Sequence, residues 1–125
     1  MFHISWKNNR ANILKKGLLP KIKEFPELQR EPGIYLMETQ EQAEDWAYYF
    51  GMTYSTRNKT AIDIWKVNLP ESTQLHQDLT DVNEVYDSWF TFEPIHPENL
   101  QVIYTMRYFG PDFDLPVIQK VNRNV

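Results

Sequence analysis

The sequence predicts an α+β domain whose helices fall early and whose strands fall late. Three observations carry that reading. Apolar residues alternate with period two at several places, first at Phe2, Ile4 and Trp6, as half-buried strands require. Two helical patterns, over residues 8–16 and 39–51, lie in the first half of the chain, and the second half reads as successive strands. That order suits segregated helices and sheet better than a doubly wound βαβ succession. No glycine-rich phosphate loop follows any strand, so the usual dinucleotide and P-loop fingerprints are absent.

Each element has a local reason. His3 and Ser5 alternate with Phe2, Ile4 and Trp6, which predicts a strand over residues 2–6 with two polar side chains on one face. Asn8 or Asn9 caps the first helix, whose apolar face is expected to be Ala11, Leu14 and Leu18. Gly17 stands where a left-handed C-terminal residue belongs, and Pro20 blocks continuation. Residues 21–32 mix charges with Pro26 and Pro32 and read as an exposed connection. Ile34-Tyr35-Leu36-Met37 is a short buried strand. Thr39 with Gln42 three residues on is a capping box. Ala43, Trp46, Ala47 and Phe50 form the stripe of the second helix, with Gly51 as its expected end.

Residues 52–59 are a polar loop. Residues 61–69 are strand-like, and their apolar phase shifts between Ile64 and Trp65, which calls for a bulge or for burial on both faces. Residues 71–87 are polar and weakly patterned. Trp89 to Phe92 is a strand, residues 94–99 a connection, and residues 100–108 a further strand. Gly110-Pro111 turns the chain. Residues 1–111 form one domain, and residues 112–125 are a C-terminal extension whose Val117 and Ile118 are candidates to dock at a sheet edge.

Composition narrows function by exclusion. Lys plus Arg is 13 and Asp plus Glu is 17 in 125 residues, a net charge of −4. That disfavours a nucleic-acid partner held by phosphate contacts. Cysteine is absent, which removes disulfides, thiolate metal sites and a cysteine nucleophile. No apolar run approaches the roughly 20 residues of a membrane helix, and the N-terminus lacks a signal-peptide plan. A cytoplasmic protein with no membrane partner is therefore expected. Aromatic residues make up 14% of the chain, too many for a disordered one. His76 and His96 are expected in solvated loops. Lys15, Lys16, Lys21 and Lys23 are expected on a wet face.

Three blocks stand in a meaningful order: His3-Ile4-Ser5 followed by residues 9–19 (NRANILKKGLL), Gly33-Ile34-Tyr35-Leu36 followed by residues 39–47, and residues 88–100 (SWFTFEPIHPENL). Together they resemble the ADP-ribosyltransferase superfamily. Many of its members open with a His-x-Ser or His-x-Thr strand and a helix ending in a phrase like I-L-x-x-G-L-x-P. A G-I-Y-L strand with an alanine-bearing helix follows, and then a closing strand with a P-I-P-P-E-x-I corner.

The resemblance implies a split mixed or antiparallel sheet, two short helices in the N-terminal half, and a cleft that binds NAD as substrate. It implies that His3 hydrogen-bonds a ribose hydroxyl, that Ser5 supports that ribose or the nicotinamide amide, and that Tyr35 stacks on the nicotinamide ring. Tyr35 read on its own residue type is equally a core tyrosine with its hydroxyl at the surface. Family members carry a glutamate on the closing strand that stabilises the cationic sugar formed as nicotinamide leaves. Here the alignment of Pro94-Ile95 puts Ser88 at that position. Asp87 and Glu93 are the nearest carboxylates and the candidates for the catalytic acid. The implied activity is transfer of ADP-ribose to a macromolecule, a protein target among them, or cleavage of NAD. The alternative is a catalytically inactive member, a nucleotide-binding or protein-interaction module of the effector or counter-defence type. That alternative looks to exposed aromatics among Trp89, Phe90, Tyr104, Tyr108 and Phe109 for an interface.

Overall fold

The structure, a computed structural model, describes residues 1–28, 31–78, 88–108 and 117–120. It is α+β. Seven strands form one sheet, and every described pairing in it is antiparallel. The strands are β1 (Phe2–Trp6), β2 (Ile34–Met37), β3 (Ala61–Val67), β4 (His76–Gln77), β5 (Ser88–Thr91), β6 (Leu100–Arg107) and β7 (Val117–Lys120), and their spatial order is β4-β5-β2-β1-β3-β6-β7. The helices are α1 (Arg10–Lys16) and α2 (Gln40–Tyr54). β7 pairs with β6 at the sheet edge, with Ile118 opposite Met106.

The sheet is covered on both faces. Ile4, Trp6, Met37, Ile62 and Ile64 meet Ala43, Ala47 and Phe50 of α2 on one side. Leu36, Trp65 and Val67 meet Ile13, Leu18 and Ile95 on the other. Central strands buried on both faces lose the polar half of their alternation. This explains the phase shift in β3, where Ile64 and Trp65 are both fully buried on opposite faces. A register shift against β6 lies at the same step, where Ile64 faces Tyr104 and Trp65 faces Val102, so that Ile103 is the extra residue.

The capping box of α2 is present. Gln42 N donates to Thr39 Oγ1 and Thr39 N donates to Gln42 Oε1, each at 3.1 Å. Gly51 does not end this helix, contrary to expectation. It lies inside it, and a Cβ there would fall within the Tyr108 ring. The Tyr108 hydroxyl donates to Ala47 O on the same helix.

Two expectations for α1 are corrected. A 3-10 turn over Lys7–Asn9 precedes it, and neither Asn8 nor Asn9 caps it. Their amides are spent on distant partners: Asn8 Nδ2 donates to Asn58 O and Asn9 Nδ2 to Glu24 Oε2, both at 2.8 Å. The buried face is Ile13, while Ala11 is exposed and Leu14 is 54% exposed. Gly17 ends α1 with φ +79°, and its missing Cβ admits the Ile95 carbonyl. Leu18 and Ile95 exchange backbone hydrogen bonds of 2.8 and 2.9 Å. The Gly-Leu phrase after α1 and the Pro-Ile corner after β5 are thereby joined.

Candidate functional site

The sheet is not zipped evenly. β1 runs against β3 from Phe2–Lys66 to Trp6–Ile62, whereas β1 and β2 pair only at Phe2 and Met37. Beyond that pair, the His3 side chain spans the gap. Its Nδ1 lies 2.8 Å from Tyr35 O. A carbonyl oxygen only accepts, so Nδ1 carries the proton and Nε2 of the neutral ring is left as an acceptor. Nε2 is buried and has no hydrogen-bond partner. His3 is 4% exposed. Burial pushes its pKa down, against opposing effects of the Glu24 charge and the Tyr35 carbonyl. The ring is therefore neutral at pH 7.

A cleft opens beside this ring. Phe25 and Leu28 pack on the α2-side cluster, and residues 20–28 and 31–33 supply Lys23, Glu24, Phe25, Leu28, Glu31 and Gly33 to the cleft wall. β1 gives His3 and Ile4, β2 gives Tyr35, Leu36 and Met37, α2 gives Trp46 and Phe50, and β5 gives Ser88. The space is about 610 Å³ with its open mouth counted. Phe25 pins this wall to the core, its ring centroid 5.5 Å from Trp6 and 5.1 Å from Phe50. Asn9 holds Glu24 from the α1 side, and the Tyr35 hydroxyl donates to Glu31 O at 2.8 Å. These contacts fix one wall whose described residues have no regular secondary structure beyond the 3-10 turn Pro26–Leu28.

Of the expected site residues, His3 and Tyr35 reach the cleft together, and Ser88 lies there with them. Tyr35 is half-buried, its ring 5.7 Å from Phe90. Ser88 is buried and stands opposite Met37, on the cleft face. Ser5 does not line the cleft. It is fully buried, and its Oγ accepts from Trp65 Nε1 at 2.9 Å. Glu93 is outside the cleft and exposed, and its Oε2 accepts from Gln74 N at 2.6 Å. Asp87 and Phe109 lie outside the described residues, as does the Gly110-Pro111 turn.

The cleft carboxylates among the described residues are Glu24 and Glu31, neither of them foreseen. They sit in a stretch with no apolar period, and nothing in its spacing marks them. Lys15, Lys16, Lys21 and Lys23 are exposed, and only Lys23 of the four touches the cleft. His96 is exposed. His76 is also exposed, but it lies in β4, stacked on Phe90 with centroids 5.3 Å apart. Phe92 is 56% exposed, Trp89, Phe90 and Tyr104 are half-buried, and Tyr108 is buried.

A second buried polar group serves the scaffold. Asp63 is fully buried and takes Arg10 Nε at 2.7 Å, Arg10 Nη2 at 2.5 Å and the Thr105 hydroxyl at 2.8 Å. The carboxylate raises the Arg10 pKa further. This forked pair ties α1 to β3 and β6, away from the cleft.

No family model matches the chain, and neither a curated protein nor a solved structure matches it. Among the described residues, no helix is long and apolar enough to cross a membrane.

Proposed function

We propose that the protein is an ADP-ribosyltransferase-like domain that binds NAD or a related nucleotide along the cleft beside Phe25 and Tyr35. One observation carries this reading: the buried, unpartnered acceptor at His3 Nε2, on a residue that lines a cleft walled by aromatic rings. A buried polar atom left unpaired costs about 1–3 kcal/mol. A ribose hydroxyl donating to Nε2 recovers that cost on binding. Tyr35, on the same wall, offers its ring to the nicotinamide. Further support comes from contact between blocks of the resemblance. The His3 strand meets the Tyr35 strand through the imidazole, and Leu18 meets Ile95.

A specific observation favours binding without transfer. Departure of nicotinamide leaves a cationic sugar, and a fixed carboxylate beside it is worth about 3–4 kcal/mol. Ser88 lines the cleft at the position aligned with that carboxylate, and a hydroxyl supplies no such charge. The second reading is therefore a nucleotide-binding or protein-interaction module without chemistry.

Calorimetry with NAD on the wild type, Tyr35→Ala and His3→Asn, with nicotinamide release followed in the same samples, tests both readings. Asn at position 3 keeps a donor for Tyr35 O and removes the Nε2 acceptor. Binding that both variants weaken supports the cleft. Released nicotinamide makes the protein an enzyme and overturns the second reading. No binding at millimolar NAD overturns the nucleotide reading.

A further inference from the structure

We infer that the stretch of chain from Asn9 to Glu24 docks on an anionic lipid surface, with Lys15, Lys16, Lys21 and Lys23 against the headgroups and Leu14 and Ile22 in the interface. The inference does not depend on the nucleotide reading. Charge is divided unevenly along the chain. Residues 1–23 hold six basic residues and no acid, whereas residues 24–125 hold seven basic residues and all 17 acids. Such asymmetry points to an anionic partner for the basic segment. Arg10 is spent on Asp63, but Lys15, Lys16, Lys21 and Lys23 are all exposed.

The fold gathers these lysines. α1 runs from Arg10 to Lys16 and ends at Gly17. A turn in which Ile22 N donates to Leu19 O at 3.1 Å then sends the chain back. Asn9 Nδ2 donates to Glu24 Oε2 at 2.8 Å and joins the two ends of the excursion. Ile13 and Leu18 anchor it in the core, Leu18 also through its backbone bonds to Ile95. The result is a closed, anchored loop whose exposed residues include 14–16 and 21–23.

Two further observations select a lipid surface from among polyanions. Leu14 is 54% and Ile22 50% exposed, each next in sequence to a lysine. Aliphatic side chains beside lysines suit the headgroup boundary, where the apolar part is buried and the ammonium groups meet lipid phosphate. Residues 7–24 contain no aromatic ring, whereas single-stranded nucleic acid is bound by stacking on such rings. Charge agrees. The acidic remainder of the chain repels a long polyanion that wraps the molecule, while a bilayer meets one side of it only. Docking of this kind needs no membrane-crossing helix.

The test is flotation of the full chain with two kinds of vesicle at low salt, phosphatidylcholine alone and phosphatidylcholine with phosphatidylserine in equal parts. The wild type is expected to float with the phosphatidylserine vesicles only, and to be released by salt. A lysine near an anionic surface is worth roughly fivefold in partitioning, so Lys15→Gln with Lys16→Gln is expected to lower it roughly 25-fold. Leu14→Ser with Ile22→Ser is expected to weaken flotation at unchanged charge. Thermal melting checks the fold of each variant. A wild type that does not float, which needs no variant, would overturn the inference. So would flotation that either pair of substitutions leaves unchanged in a folded protein. Tighter binding to single-stranded RNA than to the vesicles, at equal phosphate concentration, would overturn it in favour of a nucleic-acid partner.

Discussion

The two halves of the sheet are built differently. β1, β3 and β6 pair along their lengths, β1 and β3 are buried on both faces, and the Arg10–Asp63–Thr105 network ties β3 to β6. β1 and β2 share one paired step, and beyond it an imidazole bridges the strands. In the first half Asp63, Thr105 and Ser5 find buried partners, while Trp6 Nε1 is buried without one. The second leaves the buried His3 Nε2 without a partner beside a cleft, whose far wall comes from residues 20–28 and 31–33. The strands are zipped in the first half, and the proposed binding cleft opens where they part. Spare polar capacity in a rigid frame is what a ligand site needs, since the frame bears the cost of keeping it unpaired.

The comparison can be broken from the scaffold side. Asp63→Ala leaves Arg10 and Thr105 without their shared acceptor, and removing one partner of a buried pair costs about 3–5 kcal/mol. Urea unfolding is expected to show that loss. A change below ~1 kcal/mol, the range of surface pairs, would mean the network is not structural. Gly51→Ala is the next largest effect. Its Cβ enters the space of the Tyr108 ring, and such overpacking costs about 1–3 kcal/mol. The same unfolding measurement reads it, and a neutral result would show that α2 and Tyr108 are not in contact.

From the cleft side the expected signature is reversed. Phe25→Ala removes a half-buried ring that holds residues 20–33 against Trp6 and Phe50. Stability should fall by about 1–2 kcal/mol, less than the 3–5 kcal/mol of a fully buried ring. Nucleotide binding in calorimetry should be lost. Binding retained at wild-type strength would detach the strap from the site.

The smallest effect is the pH dependence of His3. Its folded pKa is lowered below the ordinary 6.5, so in the window beneath 6.5 the unfolded chain binds the proton and the folded chain does not. The stabilising contribution is present above 6.5 and is lost as pH falls towards the folded value. The slope is at most about 1.4 kcal/mol per pH unit. His3→Asn should remove that slope from denaturation curves taken across pH 7 to 5. Identical slopes in the two proteins would place the proton uptake elsewhere.

Much of the scaffold was legible in the residues. Alternation in residues 2–6 marked β1, Thr39 with Gln42 marked the start of α2, and the doubled apolar phase at Ile64 and Trp65 called for a bulge or two-sided burial, both of which occur. Those signals are local and periodic. What escaped notice depended on distant partners. Asn8 and Asn9 look like caps, yet Asn58 O and Glu24 claim them. Gly51 looks like a helix end, yet it is small because Tyr108 lies on it. β4 is two exposed residues, His76 and Gln77, with no pattern to betray a strand. In the site, His3 and Tyr35 were visible through the family resemblance. Glu24 and Glu31 were not, because an irregular strap carries no period and its geometry is set by Phe25, Asn9 and Tyr35.

The most direct measurement is nuclear magnetic resonance of the ring nitrogens of His3, assigned by comparison with His3→Asn, at pH 7 with and without NAD. The account predicts a neutral ring protonated at Nδ1, and an Nε2 resonance that moves when NAD is added. A ring protonated at Nε2, or one that does not respond to millimolar NAD, would contradict it.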